Sequence, residues 1–266
     1  MKSTTKLLSP SMLLLIIIPF LTVLNSCSQV VVGLDTWFNH ETNSSTGQPF
    51  HYLWTDTAMS GFSDWGKIFI QDRAEITTVG KPLKRDLDRI DIYIIVDPDS
   101  TSENPEPEYI TSEDSGIIAD WVRQGGVLVI MANDAPNCEF THLNGLMASF
   151  GMRFNHVSLH KVPGDDFEQG ASADLPQNAI FNGVRKIYLK EISDITLWAN
   201  ARPVLTEKGK VLMAETKYGK GYVFAVGDPW IYNEYIDHRR LPAGFDNMKA
   251  AVNLTEYLLD RVNEKD

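Results

Sequence analysis

The sequence predicts an α/β fold, a mostly parallel sheet with helices on both faces, and three observations carry that prediction. Short β-branched runs recur and each ends at polar residues, segments of helical periodicity lie between them, and the helices have readable starts and stops. The first run is Gln29 to Asp35 (Q-V-V-V-G-L-D), the second Asp91 to Asp97 (D-I-Y-I-I-V-D), the third Val127 to Met131 (V-L-V-I-M) and the fourth Gly221 to Asp228 (G-Y-V-F-A-V-G-D). Unbroken apolar runs of this length suit strands covered on both faces.

Between them, Ser112 is placed to cap a helix that carries Ile117, Ile118, Trp121 and Val122 on one face and stops at Gln124-Gly125-Gly126. Cys138 to Phe150 repeats the helical period with Phe140, Leu143, Leu146 and Met147 and closes at Gly151. A last helix over about Phe245 to Val262 sets Met248, Val252, Tyr257 and Leu259 among charged neighbours. Val211 to Thr216 and Tyr222 to Val226, joined through Lys217-Tyr218-Gly219-Lys220-Gly221, predict a hairpin. The acidic, turn-rich stretch from Gly164 to Gln177 and the region Ile180 to Leu205 read as an insertion of β character.

The start of the chain has Lys2 and Lys6, an apolar stretch from Met12 to Leu24 and then Asn25-Ser26-Cys27, the layout of a cleaved secretory signal over residues 1–26. The apolar stretch is shorter than the roughly 20 residues that a membrane-spanning helix needs. Leu24-Asn25-Ser26-Cys27 resembles a lipobox, so Cys27 is expected to be lipidated and to tether one domain, residues 27–266, to a membrane. No acidic run follows Cys27, and the expected address is the cell envelope, on the outer membrane facing the periplasm. Removing residues 1–26 takes away two lysines and no acid, which leaves 22 basic against 35 acidic residues and a formal charge of −13. Nucleic acid is therefore not expected as a partner. With Cys27 acylated, Cys138 has no intrachain partner and no disulfide framework exists.

Ligands of open α/β sheets bind outside the carboxyl ends of the strands, so the residues that follow each strand are the candidates. They are Asp35, Trp37, His40 and Glu41 after the first; Asp97-Pro98-Asp99 after the second; Asp134, Asn137, Glu139 and His142 after the third; and Asp228, Trp230, Tyr232, Asn233 and Glu234 after the fourth. Acids and amides exchange hydrogen bonds with sugar hydroxyls, and indoles stack on sugar faces, so an oligosaccharide ligand fits this set. Trp37, Trp54, Trp65 and Trp230 lie in loop-like surroundings that suit such platforms, whereas Trp121 and Trp198 are assigned to the core. The bland reading stands beside this: an Asp after a strand is commonly a cap or a turn former. If bonds are broken, a paired-carboxylate glycoside hydrolase is the expected chemistry, with Glu139 as acid and Asp228 or Glu234 as base or nucleophile. Cys138, one helical turn before His142, fits a buried position as well as it fits a nucleophile. There is no G-x-S-x-G elbow, phosphate-binding Gly-rich loop, H-E-x-x-H or C-x-x-C; no cofactor is expected, and the spacing of Asp35, His40, Asp97 and Asp134 is not diagnostic of a metal.

The segments Trp121 to Val129, Asn133-Asp134 with Asn137 to Asn144, Tyr218 to Gly221 and above all Gly227-Asp228-Pro229-Trp230 to Asn233-Glu234-Tyr235 resemble an uncharacterised class I glutamine amidotransferase-like domain of Bacteroidetes-type bacteria, often fused to unsaturated glucuronyl or rhamnogalacturonyl hydrolases. That resemblance implies a flavodoxin-like sheet and a place in the breakdown of pectin-like, uronic-acid polysaccharides. It does not imply amidotransferase activity: the turn after the third strand reads Ala132-Asn133-Asp134-Ala135-Pro136, with no cysteine in an elbow. The expected function is a membrane-anchored accessory protein that binds uronic-acid-containing oligosaccharides at the carboxyl edge of the sheet; a glycoside hydrolase, or a module that docks a partner hydrolase, are the alternatives.

Overall fold

A computed structural model of the chain describes residues 1–2, 29–236 and 238–264; Cys27 and nearly all of the expected signal lie outside the described residues. The elements run β1 (Val31–Asp35), α1 (Ser63–Gln71), β2 (Glu75–Val79), α2 (Lys84–Leu87), β3 (Ile92–Val96), α3 (Ser112–Gln124), β4 (Val127–Met131), α4 (Phe140–Ala148), β5 (Met152–Phe154), β6 (Ala171–Ser172), β7 (Ile187–Tyr188), β8 (Ile195–Leu197), β9 (Arg202–Glu207), β10 (Lys210–Tyr218), β11 (Gly221–Val226), α5 (Asn233–Ile236) and α6 (Asn247–Asn263). Seven strands form the central sheet in the order β2-β1-β3-β4-β11-β10-β9. The first five in that order are parallel, and β10 pairs antiparallel with both of its neighbours. The fold is thus mixed α/β with a mostly parallel central sheet.

The two faces of the sheet divide the core. Ile92, Ile94, Val96, Val127, Val129, Met131, Phe224 and Val226 point to one side, where α1 packs Trp65, Ile68 and Phe69 and α6 packs Ala250, Ala251, Leu254 and Leu258. Their alternates Tyr93, Ile95, Leu128, Ile130, Val223 and Ala225 point to the other, against Ile118, Trp121 and Val122 of α3 and Leu143, Leu146 and Met147 of α4. Every residue of β3, β4 and β11 is buried, which is why these strands read as unbroken apolar runs.

The helix ends obey local chemistry. Thr111, one residue before the expected cap, accepts from the Asp114 N–H while Asp114 accepts from the Thr111 N–H, a complete capping box. Gly125 ends the helix at a φ of +127°. Within the expected insertion lie the antiparallel pair β6–β7 and β8, which pairs with β5 from before it, and its end runs into β9 at the edge of the main sheet. Four tryptophans depart from expectation, among them Trp230, which is fully buried. Trp54 and Trp65 are core residues, T-shaped to each other at 5.8 Å, whereas Trp198 is 43% exposed.

Two glycines test the packing at α3. A Cβ at Gly221 would stand 2.0 Å from the Val122 carbonyl oxygen and 2.3 Å from that of Gly126, both rigid backbone; a Cβ at Gly116, inside α3, would meet nothing within 4 Å. Gly221→Ala should therefore destabilise the protein by about 2 to 3 kcal/mol, whereas Gly116→Ala should stabilise it by up to about 1 kcal/mol. Urea unfolding of the two variants beside the wild type reads both signs.

Candidate functional site

The parallel strands end on one rim, and the polar residues that follow β1, β3, β4 and β11 meet there. At its centre is Asp97, which ends the β3 run at a φ of +39°, a region that a non-glycine residue enters only when its surroundings impose it. Its Oδ2 accepts from the Tyr52 hydroxyl at 2.9 Å and from Asn133 Nδ2 at 2.7 Å, and its backbone oxygen accepts from Asn39 Nδ2 at 2.8 Å. Its Oδ1 is buried with no hydrogen-bond partner. Across the rim, Asp228 accepts from the Lys190 backbone N–H at 2.6 Å and from the Tyr232 hydroxyl at 3.2 Å. The Tyr52 and Tyr232 rings lie 5.8 Å apart, so the two carboxyls are joined through a pair of adjacent phenols.

Burial sets the charge of this cluster. It pushes the Asp97 carboxyl up to about 7, aided by Glu41 and Asp99 and opposed by the Asn133 and Tyr52 hydrogen bonds. It pushes Asp228 up to about 8 against the Lys190 and Tyr232 hydrogen bonds. Glu103 rises to about 9 through burial and the charges of Asp97, Glu41 and Asp99. The Asp99 and Glu234 carboxyls are also raised, chiefly by burial, and each keeps one buried oxygen without a partner, Oδ1 and Oε2 respectively. Near neutral pH the Asp97 and Asp228 carboxyls are thus poised between donating and accepting a hydrogen bond.

The other candidates divide between neighbours of the cluster and structural parts. His40 Nδ1 lies 2.9 Å from the Trp37 carbonyl oxygen and its Nε2 3.0 Å from Asn104 Nδ2, while its backbone N–H donates to Asp99. Glu41 pairs with His51 Nδ1 at 3.0 Å. Asp35 is closed off: Oδ2 accepts from the backbone N–H groups of Trp37, Phe38 and Asn39, and Oδ1 accepts from the Tyr93 hydroxyl at 2.6 Å. It shapes the turn after β1 and has no acceptor to spare, although burial pushes it up to about 7. Trp37 is half-buried with the Lys81 ammonium 5.9 Å from its ring centroid.

Asp134 accepts from Asn137 Nδ2 at 2.9 Å. Glu139, expected as a catalytic acid, is instead the N-cap of α4 and takes the Thr141 and His142 N–H groups on its two oxygens, each at 2.9 Å. His142 stacks on Tyr109 at 4.6 Å on an exposed helix face. Trp230 is fully buried and offers no stacking platform. Asn233 is fully buried as well: it donates to the carbonyls of Asp56 and Ala58 and accepts from the Asp64 N–H, pinning the loop before α1. Among the described residues no three His, Cys, Asp or Glu side chains are arranged to hold a metal. Among the described residues, clefts of 290 to 740 Å³ open elsewhere on the surface, and none of these is lined by Asp97, Asp228, Tyr52 or Tyr232. Tyr52, Asn133, Glu103 and His51 were missing from the expected set. Asp97-Pro98-Asp99 and Asn133 were visible as strand-end residues, but nothing local marks Tyr52, which a long loop brings to Asp97 across 45 positions.

No family model matches the chain, and no curated protein matches it significantly. Among solved structures it is similar to the N-terminal domain of mmIFT52, at 12% identity and a TM-score of 0.64, over 86% of this chain and 97% of that one. It is also similar to the cytoplasmic proteins STM1381 of Salmonella typhimurium LT2 (15%, TM-score 0.55) and STM3548 of Salmonella typhimurium (17%, TM-score 0.51), over 86% of this chain and 99% and 98% of theirs. These likenesses show a shared fold. None of these neighbours is described as a glutamine amidotransferase-like domain, and the resemblance expected from the sequence is corrected accordingly. The motifs behind it are structural here: Trp230 and the β4 run are core, and Asn233 is a loop pin. STM1381 and STM3548 are described as cytoplasmic proteins, which is at odds with the outer-membrane, periplasm-facing address expected for this chain; at 15% and 17% identity the likeness speaks to the fold alone. Among the described residues no helix is long and apolar enough to cross a membrane.

Two outcomes follow from the burial of these groups. Between the ordinary aspartate value of 3.8 and about 7 to 8, the folded chain holds protons on Asp97 and Asp228 that the unfolded chain has released. Their contribution to stability is therefore complete below pH 4 and is lost as pH rises to about 8. Asp97→Asn should flatten the fall in Tm between pH 5 and 8 seen by circular dichroism, and an unchanged slope would refute the assignment. Cys138 is 3% exposed, and burial pushes its thiol well above the usual range. It should resist iodoacetamide in the native protein and react fully in urea, as mass spectrometry would show.

Proposed function

We propose that the chain binds a hydroxyl-rich ligand, a carbohydrate, at the carboxyl rim of its sheet, and serves as an accessory protein of carbohydrate processing. The observation that carries this reading is the set of buried carboxylate oxygens without partners, on Asp97, Asp99 and Glu234, around two phenols. An unmet acceptor in a buried position costs about 1 to 3 kcal/mol, which a ligand that supplies donors recovers. Sugar hydroxyls donate and accept at once, and carboxyls raised to about 7 and 8 match that dual character.

The strand order supports the same place. With β2 outside β1 and the chain crossing over to β3, the order is compatible with a flavodoxin-like reading, and in sheets of that kind the crevice opens between the ends of the first and third strands. Asp97 ends β3 there. Because Tyr52 and Asp97 are 7% and 2% exposed, the ligand has to displace the Tyr52 hydroxyl and the loop that carries it. Of the sugar classes, this rim suits neutral oligosaccharides better than uronates, since a further carboxylate would meet Glu41, Asp97, Asp99 and Glu103. A hydrolase on this rim would rely on Asp228 with Asp97 or Glu234, because Glu139 is committed to its cap.

Calorimetry at pH 7 against neutral manno-, gluco- and galacto-oligosaccharides, with an oligogalacturonate beside them, tests the reading. Binding of a neutral sugar that weakens about tenfold in Asp97→Ala, the loss of about 1.4 kcal/mol, is the expected result. Absence of binding to every member of the panel at millimolar concentration would remove it.

A further inference from the structure

At the opposite end of the sheet, where β11 begins, a cleft of about 330 Å³ is lined by Arg202, Lys217, Lys220 and Arg261 together with Asn200, Thr216, Tyr222 and Glu264. Four cations converge here in a chain whose formal net charge is −11. Arg202 is held through Nε, which donates to Glu215 Oε1 at 2.6 Å; its two Nη groups have no hydrogen-bond partner among the described residues. Glu215 is satisfied, because its other oxygen accepts from the Tyr222 and Tyr257 hydroxyls. Arg261 lies over the rings of Tyr257 and Tyr222, at 4.6 and 5.6 Å, and spends Nη1 on Glu264. Its Nε is buried without a partner. Lys217 and Lys220 are exposed, and neither ammonium is paired among the described residues.

We infer that this cleft binds a small oligoanion, a phosphate-bearing metabolite. Two guanidinium groups fixed by an ion pair and by ring stacking present planar donors that match phosphate oxygens in pairs, and the two lysines add point charges that adapt to the rest. Orientation is set beforehand by Glu215 and the two tyrosines, so binding costs little ordering of Arg202 or Arg261. The enclosed volume suits a small molecule. A nucleic acid or an anionic membrane would need an extended basic face and would meet the acidic remainder of the surface, whereas a small ion inside the cleft is screened from it beyond about 8 Å at physiological salt. This site is separate from the carbohydrate rim and does not depend on it.

Titration calorimetry of the full chain with inorganic pyrophosphate, and with citrate as a carboxylate of comparable charge, decides the matter. Pyrophosphate should bind with an affinity that falls as salt is raised. Both Arg202→Gln and the Lys217→Ala/Lys220→Ala pair should weaken it at least about tenfold. The lysine pair is solvent-exposed and should keep the wild-type Tm, which separates loss of the site from loss of the fold, and Lys84→Ala on α2 should bind as the wild type does. No binding of pyrophosphate at millimolar concentration, a preference for citrate, or unaltered binding by the lysine pair would each overturn the inference.

Discussion

The double burial of the middle strands is the constraint from which the rest of the molecule follows. Every residue of β3, β4 and β11 is buried, and apart from the hydroxyls of Tyr93 and Tyr222 the chain places no polar side-chain group there until those strands end. The polar groups then arrive together, at one rim, under the loops and helix ends that cover the core. Asp35, Asp97 and Asp228 are 1 to 4% exposed for this reason. A carboxyl in that position must find donors or keep its proton. Asp35 finds four donors within its own turn and from Tyr93, which makes it a structural element. Asp97 finds its side-chain donors for one oxygen alone, and the difference between these two residues separates a turn former from a candidate site.

The same constraint decides what the sequence reveals. The central strands announce themselves because burial on both faces leaves no charged or amide side chain within them, and α3, α4 and α6 because their apolar stripes meet those strands. The edge strand β2, Glu-Ile-Thr-Thr-Val, has one face open and no continuous apolar run, so nothing in it contradicts a loop. The helix α1 was hidden for a related reason. Its Trp65 and the preceding Trp54 sit among Gly, Asp and Ser, a composition that suggests an exposed aromatic loop, yet Asn233 reaches from 170 positions away to tie that segment down and turn its indoles inward. Side-chain chemistry at long range was not legible, and the candidate site depends on it. Glu139 and Asn233 were rightly singled out as polar residues near strand ends, but a carboxylate preceding a helix and an amide beside a loop serve caps and pins just as well.

Charge is distributed along the sheet direction in a way that composition conceals. The carboxyl ends of the strands gather Glu41, Asp97, Asp99, Glu103 and Asp228, and the amino end of β11 gathers Arg202, Lys217, Lys220 and Arg261. A net acidic chain thus carries two poles of opposite sign at the two ends of one strand. In the acidic pole repulsion is relieved by proton uptake; in the basic pole no such relief is open to arginine, whose guanidinium stays charged. The structure answers with Glu215 beneath Arg202 and with two aromatic rings beneath Arg261. Each holds a cation in place without consuming all of its donors.

Backbone conformation at the acidic pole points to a rim that is held closed rather than closed by default. His51, Tyr52 and Asp97 all have positive φ, at 64°, 51° and 39°, and Tyr52 and Asp97 are joined by the hydrogen bond that covers the carboxyl. Non-glycine residues in this region cost of order 1 kcal/mol or more each, and they persist where packing over-determines them. Here the packing is aromatic: Tyr52 lies 5.4 Å from Phe62 and 5.8 Å from Tyr232. A ligand that donates to Asp97 in place of the Tyr52 hydroxyl would leave the strained loop without its polar tether while leaving Phe62 and the core beneath it undisturbed. On the proposed reading, opening of the loop and filling of the unmet acceptor are one event, and the hydrogen bond from Tyr52 to Asp97 is the contact that a ligand would replace.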